Sequence, residues 1–237
     1  MRRALLILLA VAVAAPAPAA AASVDVMVVG KSKVLRGPKH VQLKPRTVKV
    51  GRKRCKVLGA TPLSVLAATR LGLGLRDYGS CGKRPADAGG LYVTKVAGER
   101  EKGSGGWVYK VGRKAGTTAA GDPSGPFGTG KRLRNGQKVT WFWCRLKTTG
   151  TCQRTLEAVP DRTTAAAGET LRVTVRGYDD FGKGVAVQGA TVRLGSASAV
   201  TGAGGVASLT VAGSGRQRVR AERAGMVRAF PRVVAVG

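Results

Sequence analysis

Val139-Thr140-Trp141-Phe142-Trp143-Cys144 follows the turn signal Asn135-Gly136, and how this stretch is read decides the fold of the first part of the chain. Its residues are β-branched or aromatic, the types that fit a pleated surface, and Asn-Gly favours a tight hairpin turn. Upstream, Trp107-Val108-Tyr109-Lys110-Val111 alternates, with Trp107, Tyr109 and Val111 on one face, and Leu91-Tyr92-Val93-Thr94-Lys95-Val96 is a further strand. One segment breaks the two-residue period. Thr61 suits an N-cap and Pro62 a first helical position, and Leu63, Leu66, Ala67 and Leu71 recur at helical spacing before Gly72. Ahead of it lie extended stretches over residues 24–29 and 41–50, where Pro45 argues for an edge. The order strand, strand, helix, strands predicts an α+β domain with one main helix on a mostly antiparallel sheet.

Beyond residue 153 the text changes. All four cysteines and all three tryptophans precede it. Short Val- and Ala-rich runs follow, over residues 170–176, 190–194, 206–211, 217–222 and 227–236. Turn signals separate them at Asp179-Asp180-Phe181-Gly182, at residues 202–205 and at Gly213-Ser214-Gly215. Short strands at such spacing without helices read as an all-β Ig-like sandwich. The expected organisation is a leader over residues 1–22, an α+β domain over 23–153, a linker or first strand over 154–168 and a β-sandwich over 169–237.

The leader reads as a secretion signal. Arg2 and Arg3 precede an apolar run over residues 4–15, which at 12 residues falls short of the roughly 20 that span a bilayer. A small-residue zone then offers cleavage after Ala22. No transmembrane segment is expected after cleavage. An exported chain with an even number of cysteines points to two disulfides, and nearest-neighbour pairing beside turns favours Cys55–Cys81 and Cys144–Cys152.

The 237 residues carry 41 Lys and Arg against 12 Asp and Glu, a net charge of +29. Losing Arg2 and Arg3 with the leader lowers it by two, to +27. Residues 31–56 hold eleven Lys and Arg with no carboxylate between Asp25 and Asp77. Such a surface attracts polyanions. The expected partner is an anionic cell-envelope polymer or glycan, with Arg52, Lys53 and Arg54 as the candidate contact. No nucleic-acid-binding motif is present.

Catalytic chemistry finds no support. The single histidine, His40, has no free nucleophile to serve, and no G-x-S-x-G elbow exists. Residues 125–131 match the glycine spacing of a phosphate-binding loop, but Arg132 stands where Ser or Thr would hold magnesium and no helix is expected next. No metal site, cofactor or catalytic residue is expected. Trp107, Tyr109, Trp141 and Trp143 are the candidate ligand-binding residues, because Trp141 to Trp143 is apolar on both faces: an exposed face would be a binding surface, and the alternative is that a small domain uses these aromatics as its core.

Three segments resemble a family of unknown function that is similar to the C-terminal domain of transcobalamin. They are Thr61-Pro62-Leu63-Ser64-Val65-Leu66, Gly106-Trp107-Val108-Tyr109-Lys110-Val111 and Gly136-Gln137-Lys138-Val139-Thr140-Trp141. The resemblance covers residues 23–145. It implies a β-grasp fold in a secreted or surface protein, and, by analogy with the cobalamin carriers, a small-ligand site of corrinoid type on the aromatic strands. Two departures stand out. Gly112-Arg113 replaces the family's Asn-Gly, and Gln137 replaces an Asp. The second part resembles bacterial Ig-like and carboxypeptidase-regulatory-like modules in Gln188-Gly189-Ala190-Thr191-Val192 and in Thr201, Gly205 and Ala207. The expected function is a secreted, non-catalytic binding or cell-surface interaction protein, with a structural envelope protein held by charge as the alternative.

Overall fold

Thr61 caps its helix as the sequence demands. Its hydroxyl accepts from the Ser64 N–H, while the Ser64 side chain accepts from the Thr61 N–H. The helix is far shorter than its apolar spacing suggests, however, spanning only Pro62–Ala67. Thr69 ends it by donating its hydroxyl to the Leu66 carbonyl, and Arg70 then takes a left-handed φ of 60°. Leu71 therefore packs from a turn, not from a helix face.

The computed structural model describes residues 21–79, 81–82 and 84–237. The signal sequence expected over residues 1–22 lies almost wholly outside the described residues. Strands carry the architecture. The expected α+β β-grasp domain built on a single main helix is not what forms, because six helical residues and one short 3-10 turn, Pro85–Gly90, are all the helix among the described residues. The N-terminal part is instead a set of sheets around the capped turn. Its largest sheet runs Val34–Gln42, Ser23–Val29, Lys138–Arg145, Gly105–Val111, Lys114–Ala115, with the second and third strands parallel. A three-stranded sheet, Leu73–Asp77, Leu91–Val96 and Glu99–Arg100, and the hairpin of Arg46–Val50 with Lys53–Val57 close the other side of the core. Pro45 stands in the break that divides the extended stretch expected over residues 41–50.

The large sheet is covered on both faces. Val28, Trp141 and Tyr109 stand in one cross-strand row and face the N-terminal core, where the Trp141 indole donates to the Pro62 carbonyl and pins the helix. The neighbouring row, Met27, Thr140 and Lys110, faces the C-terminal part. There Met27, Val29 and Phe142 join Val227 and the disulfide partners Cys144 and Cys152 in a separate apolar cluster.

The C-terminal part forms the expected two-sheet sandwich. One sheet places Thr170–Tyr178 between Thr155–Pro160 and the strands Gly184–Ala186 and Val206–Thr210. The other runs Thr164–Ala165, Arg232–Val236, Gly215–Glu222, Thr191–Leu194, Ala197–Val200. Leu171, Val173 and Val175 alternate inward along their strand, and the residues between them face solvent. The stretch 154–168, expected as a linker or first strand, contains the strand Thr155–Pro160, all of which pairs with Thr170–Tyr178.

The Thr201, Gly205 and Ala207 set has a physical reason. The Thr201 hydroxyl accepts from the Ala190 N–H and donates to the Val187 carbonyl. Gly205 holds a φ of 72°, and a Cβ there would stand 2.6 Å from the Val175 carbonyl oxygen. Ala207 is buried in the sandwich core.

Candidate functional site

Where the three-stranded sheet meets the Gly105–Val111 strand, no backbone ladder joins the two, the Trp107 indole donates to the Glu99 carbonyl at 2.9 Å, and a cleft of about 400 Å³ opens. Trp107, Tyr109 and Trp141 form its floor and are 4, 6 and 1 % exposed. Tyr92, on Leu91–Val96, and Tyr78, just past Leu73–Asp77, stand at its rim, 41 and 69 % exposed. The opposite wall is made of Gly89, Gly90 and residues 118–120, which are small. Gly90 is required there, because a Cβ would lie 2.8 Å from the Gly79 nitrogen.

The rim is ordered by its own contacts. Tyr78 and Tyr92 meet edge to face at 6.3 Å, and the Arg76 guanidinium donates to the Tyr78 hydroxyl at 2.9 Å. The Tyr109 hydroxyl donates to the Thr118 carbonyl at 2.9 Å. Burial pushes the Tyr109 phenol up, and burial with nearby Glu101 does the same for Tyr92. Both present neutral hydroxyls at ordinary pH. The cleft thus offers flat apolar faces with a few fixed hydroxyls and carbonyls, the make-up of a site that takes a ring by stacking.

The structure brings together three of the four aromatic residues expected from sequence. Trp143 goes elsewhere: it packs edge to face on Trp107 at 5.7 Å, with the Lys31 ammonium 4.1 Å from its ring centre. Neither face of the Trp141 to Trp143 stretch is free, since Phe142 is fully buried against the C-terminal part. Sequence reasoning missed the exposed rim tyrosines. The only signal for Tyr78 is a lone aromatic beside Gly79.

Arg52, Lys53 and Arg54 sit at the tip of the Arg46–Val50 and Lys53–Val57 hairpin, all exposed, with Lys53 3.7 Å from Asp77. Cys55 is joined to Cys81 and Cys144 to Cys152, as nearest-neighbour pairing predicts. These bridges fit an extracellular or envelope location, and no helix among the described residues is long and apolar enough to cross a membrane. Residues 125–131 form an irregular loop, with Gly125, Gly128 and Gly130 at positive φ. No group of three or more His, Cys, Asp or Glu side chains converges among the described residues. His40 is exposed and lies 3.1 Å from Asp25.

No protein-family model matches the chain, and no characterised protein matches it in sequence. Among solved structures it is similar to the D00-D0 domain of intimin. Identity is 17 %, the alignment covers 90 % of this chain and 96 % of that one, and the TM-score is 0.30. A superposition that loose carries no functional argument.

Proposed function

We propose that the chain is an exported, non-catalytic surface-interaction protein that holds a sugar ring of an envelope glycan in the aromatic cleft. The observation that carries this reading is the exposed Tyr78–Tyr92 pair above a floor of buried Trp107 and Trp141. Tyrosines left in water at the mouth of an apolar cavity provide stacking area and hydroxyls together. A cavity of about 400 Å³ lies at the small end of ligand sites, which run roughly 300–1,000 Å³. The two disulfides and the leader read from sequence support export.

Trp107 and Trp141 supply the readout. Titrating the disulfide-bonded protein with neutral oligosaccharides of bacterial wall glycan should shift their fluorescence saturably, with little dependence on salt. Tyr92→Ala should weaken binding by about fivefold, and Tyr78→Ala, at the more exposed ring, by less, for each removes one stacking face worth at most on the order of 1 kcal/mol. A panel that includes cobalamin separates ring classes. Saturation by cobalamin alone, or sugar binding untouched by Tyr92→Ala, sinks the glycan reading.

A further inference from the structure

The crevice between the two parts of the molecule, on the far side of the large sheet from the aromatic cleft, concentrates positive charge. A groove of about 560 Å³ has Met27 on its floor and Arg193, Arg218, Arg220 and Arg228 along its length. A second groove of about 500 Å³ shares Arg228 and continues past Arg232, Lys138 and Arg113. Arg228 therefore links them into one track.

The internal countercharge is insufficient. Glu222 pairs with both Arg193 and Arg228, at 3.3 and 3.1 Å. Glu157 likewise serves Arg113 and Arg232, at 2.7 and 3.4 Å. Among the described residues, Arg218 and Arg220 have no carboxylate within ion-pair distance, and Arg220 stands directly across from Arg193 in the sheet register. Like charges placed opposite one another on a sheet destabilise it, so folding alone does not account for their placement. Lys138 responds to the same field. Burial and then the nearby Arg232 push its ammonium below the usual lysine range.

We propose that this track binds an extended acidic glycan, its sulfate, phosphate or carboxylate groups seated on the guanidinium forks of Arg218, Arg220 and Arg228. Guanidinium is suited to this task, since its planar fork takes an oxyanion through two parallel hydrogen bonds. Single-stranded nucleic acid fits less well, because it binds through bases stacked on aromatic rings. The aromatics in the track already carry cations: Arg113 lies 4.5 Å from the centre of Tyr178 and Lys138 5.6 Å from that of Phe230. The site does not depend on the cleft, since its ligand is recognised by charge and from the opposite face of the sheet.

The test uses the disulfide-bonded protein with a heparin-derived oligosaccharide as a model acidic glycan, and an oligothymidylate of equal charge. Arg218→Ser with Arg220→Ser should raise the Kd for the oligosaccharide about tenfold at low salt and lower the salt slope by about two, one for each charge contact removed. Arg52→Ser with Arg54→Ser removes the same charge from the hairpin tip and should change the Kd by less than about twofold. Arg218→Lys with Arg220→Lys keeps the charge and the fold but loses the forks, and should fall between wild type and the serine pair. Equal losses in the two serine pairs would reduce the binding to a general field and overturn the track. So would lysine variants indistinguishable from wild type, or oligothymidylate bound as tightly as the oligosaccharide.

Discussion

Two strands of similar length behave in opposite ways. Thr170–Tyr178, in the sandwich, alternates buried and exposed, as a strand with one wet face should. Gly105–Val111, in the large sheet, buries residues of both faces, including a lysine. The difference lies in what covers the second face. Along Gly105–Val111 one face is the N-terminal core, and the C-terminal part lies on the other. Lys110 marks that contact. Its ammonium donates to the carbonyls of Tyr178 and Asp179 at 3.0 and 2.8 Å and to the Thr155 hydroxyl at 3.3 Å. It also lies 3.4 Å from Asp180, an ion pair without hydrogen-bond alignment, since Asp180 Oδ1 is buried with no hydrogen-bond partner. Burial pulls the lysine below its ordinary range, and Asp180 opposes that pull. A single polar side chain thus fastens one sheet to four residues of the other part, Thr155, Tyr178, Asp179 and Asp180.

Breaking that fastening should produce the largest effect. Lys110→Ala takes the counter-ion from the Asp180 carboxylate, leaving it only the Cys152 N–H, and removes the ammonium donor to the Tyr178 and Asp179 carbonyls, a loss of about 3–5 kcal/mol. The expected signature is a large drop in denaturant midpoint, with new proteolytic cuts near residues 145–155. A loss below about 1 kcal/mol would mean that water reaches the site and that the contact does not hold the parts together.

The disulfides sharpen the contrast by loop length. Cys55 and Cys81 are 26 residues apart and Cys144 and Cys152 only 8. Restricting the unfolded chain makes the first bridge worth about 3.5 kcal/mol and the second about 2.6 kcal/mol. Double serine variants, compared by chemical denaturation, should keep that order. Reversal would show that the short bridge acts mainly on the folded state, through Cys152, whose N–H donates to Asp180 at 2.8 Å.

The smallest expected effect concerns the same turn. Burial tends to raise the Asp179 carboxyl, but the backbone N–H groups of Lys183 and Phe181 outweigh it, and the group titrates below its ordinary 3.8. A carboxylate lowered in the folded state stabilises fully above its unfolded value, and that contribution is lost as pH falls through the folded one. Wild type should therefore exceed Asp179→Asn in urea midpoint at neutral pH, and the gap should close as pH falls below the ordinary aspartate range. A gap that persists in acid would assign the effect to geometry, not to charge.

Much of the local structure was legible in the residues. Leu91–Val96 matches its expected bounds, and Thr61, Pro62 and the Asp179 turn act as their chemistry requires. The helix length was not legible, because Leu71 keeps the apolar spacing while Thr69 and Arg70 have already turned the backbone away. The aromatic cleft was half legible. Its floor, Trp107, Tyr109 and Trp141, comes from two aromatic strands, but its rim depends on Tyr78 and Tyr92, brought to the Gly105–Val111 strand from a different sheet.

What the sequence determined by itself was whatever depends on neighbours along the chain: strand periods, caps, turns, the two short-range cysteine pairs and an excess of positive charge. What the tertiary structure decided was which apolar face meets which and where that charge gathers. The apolar outer side of Trp141-Phe142-Trp143 reads equally well as a binding surface or as a contact with another part of the chain, because burial depends on a partner distant in sequence. Arg193, Arg220 and Arg228 are unremarkable along the chain and converge only because the strands Thr191–Leu194 and Gly215–Glu222 pair beside the large sheet. Charge acts through space, and pairing alone sets those distances.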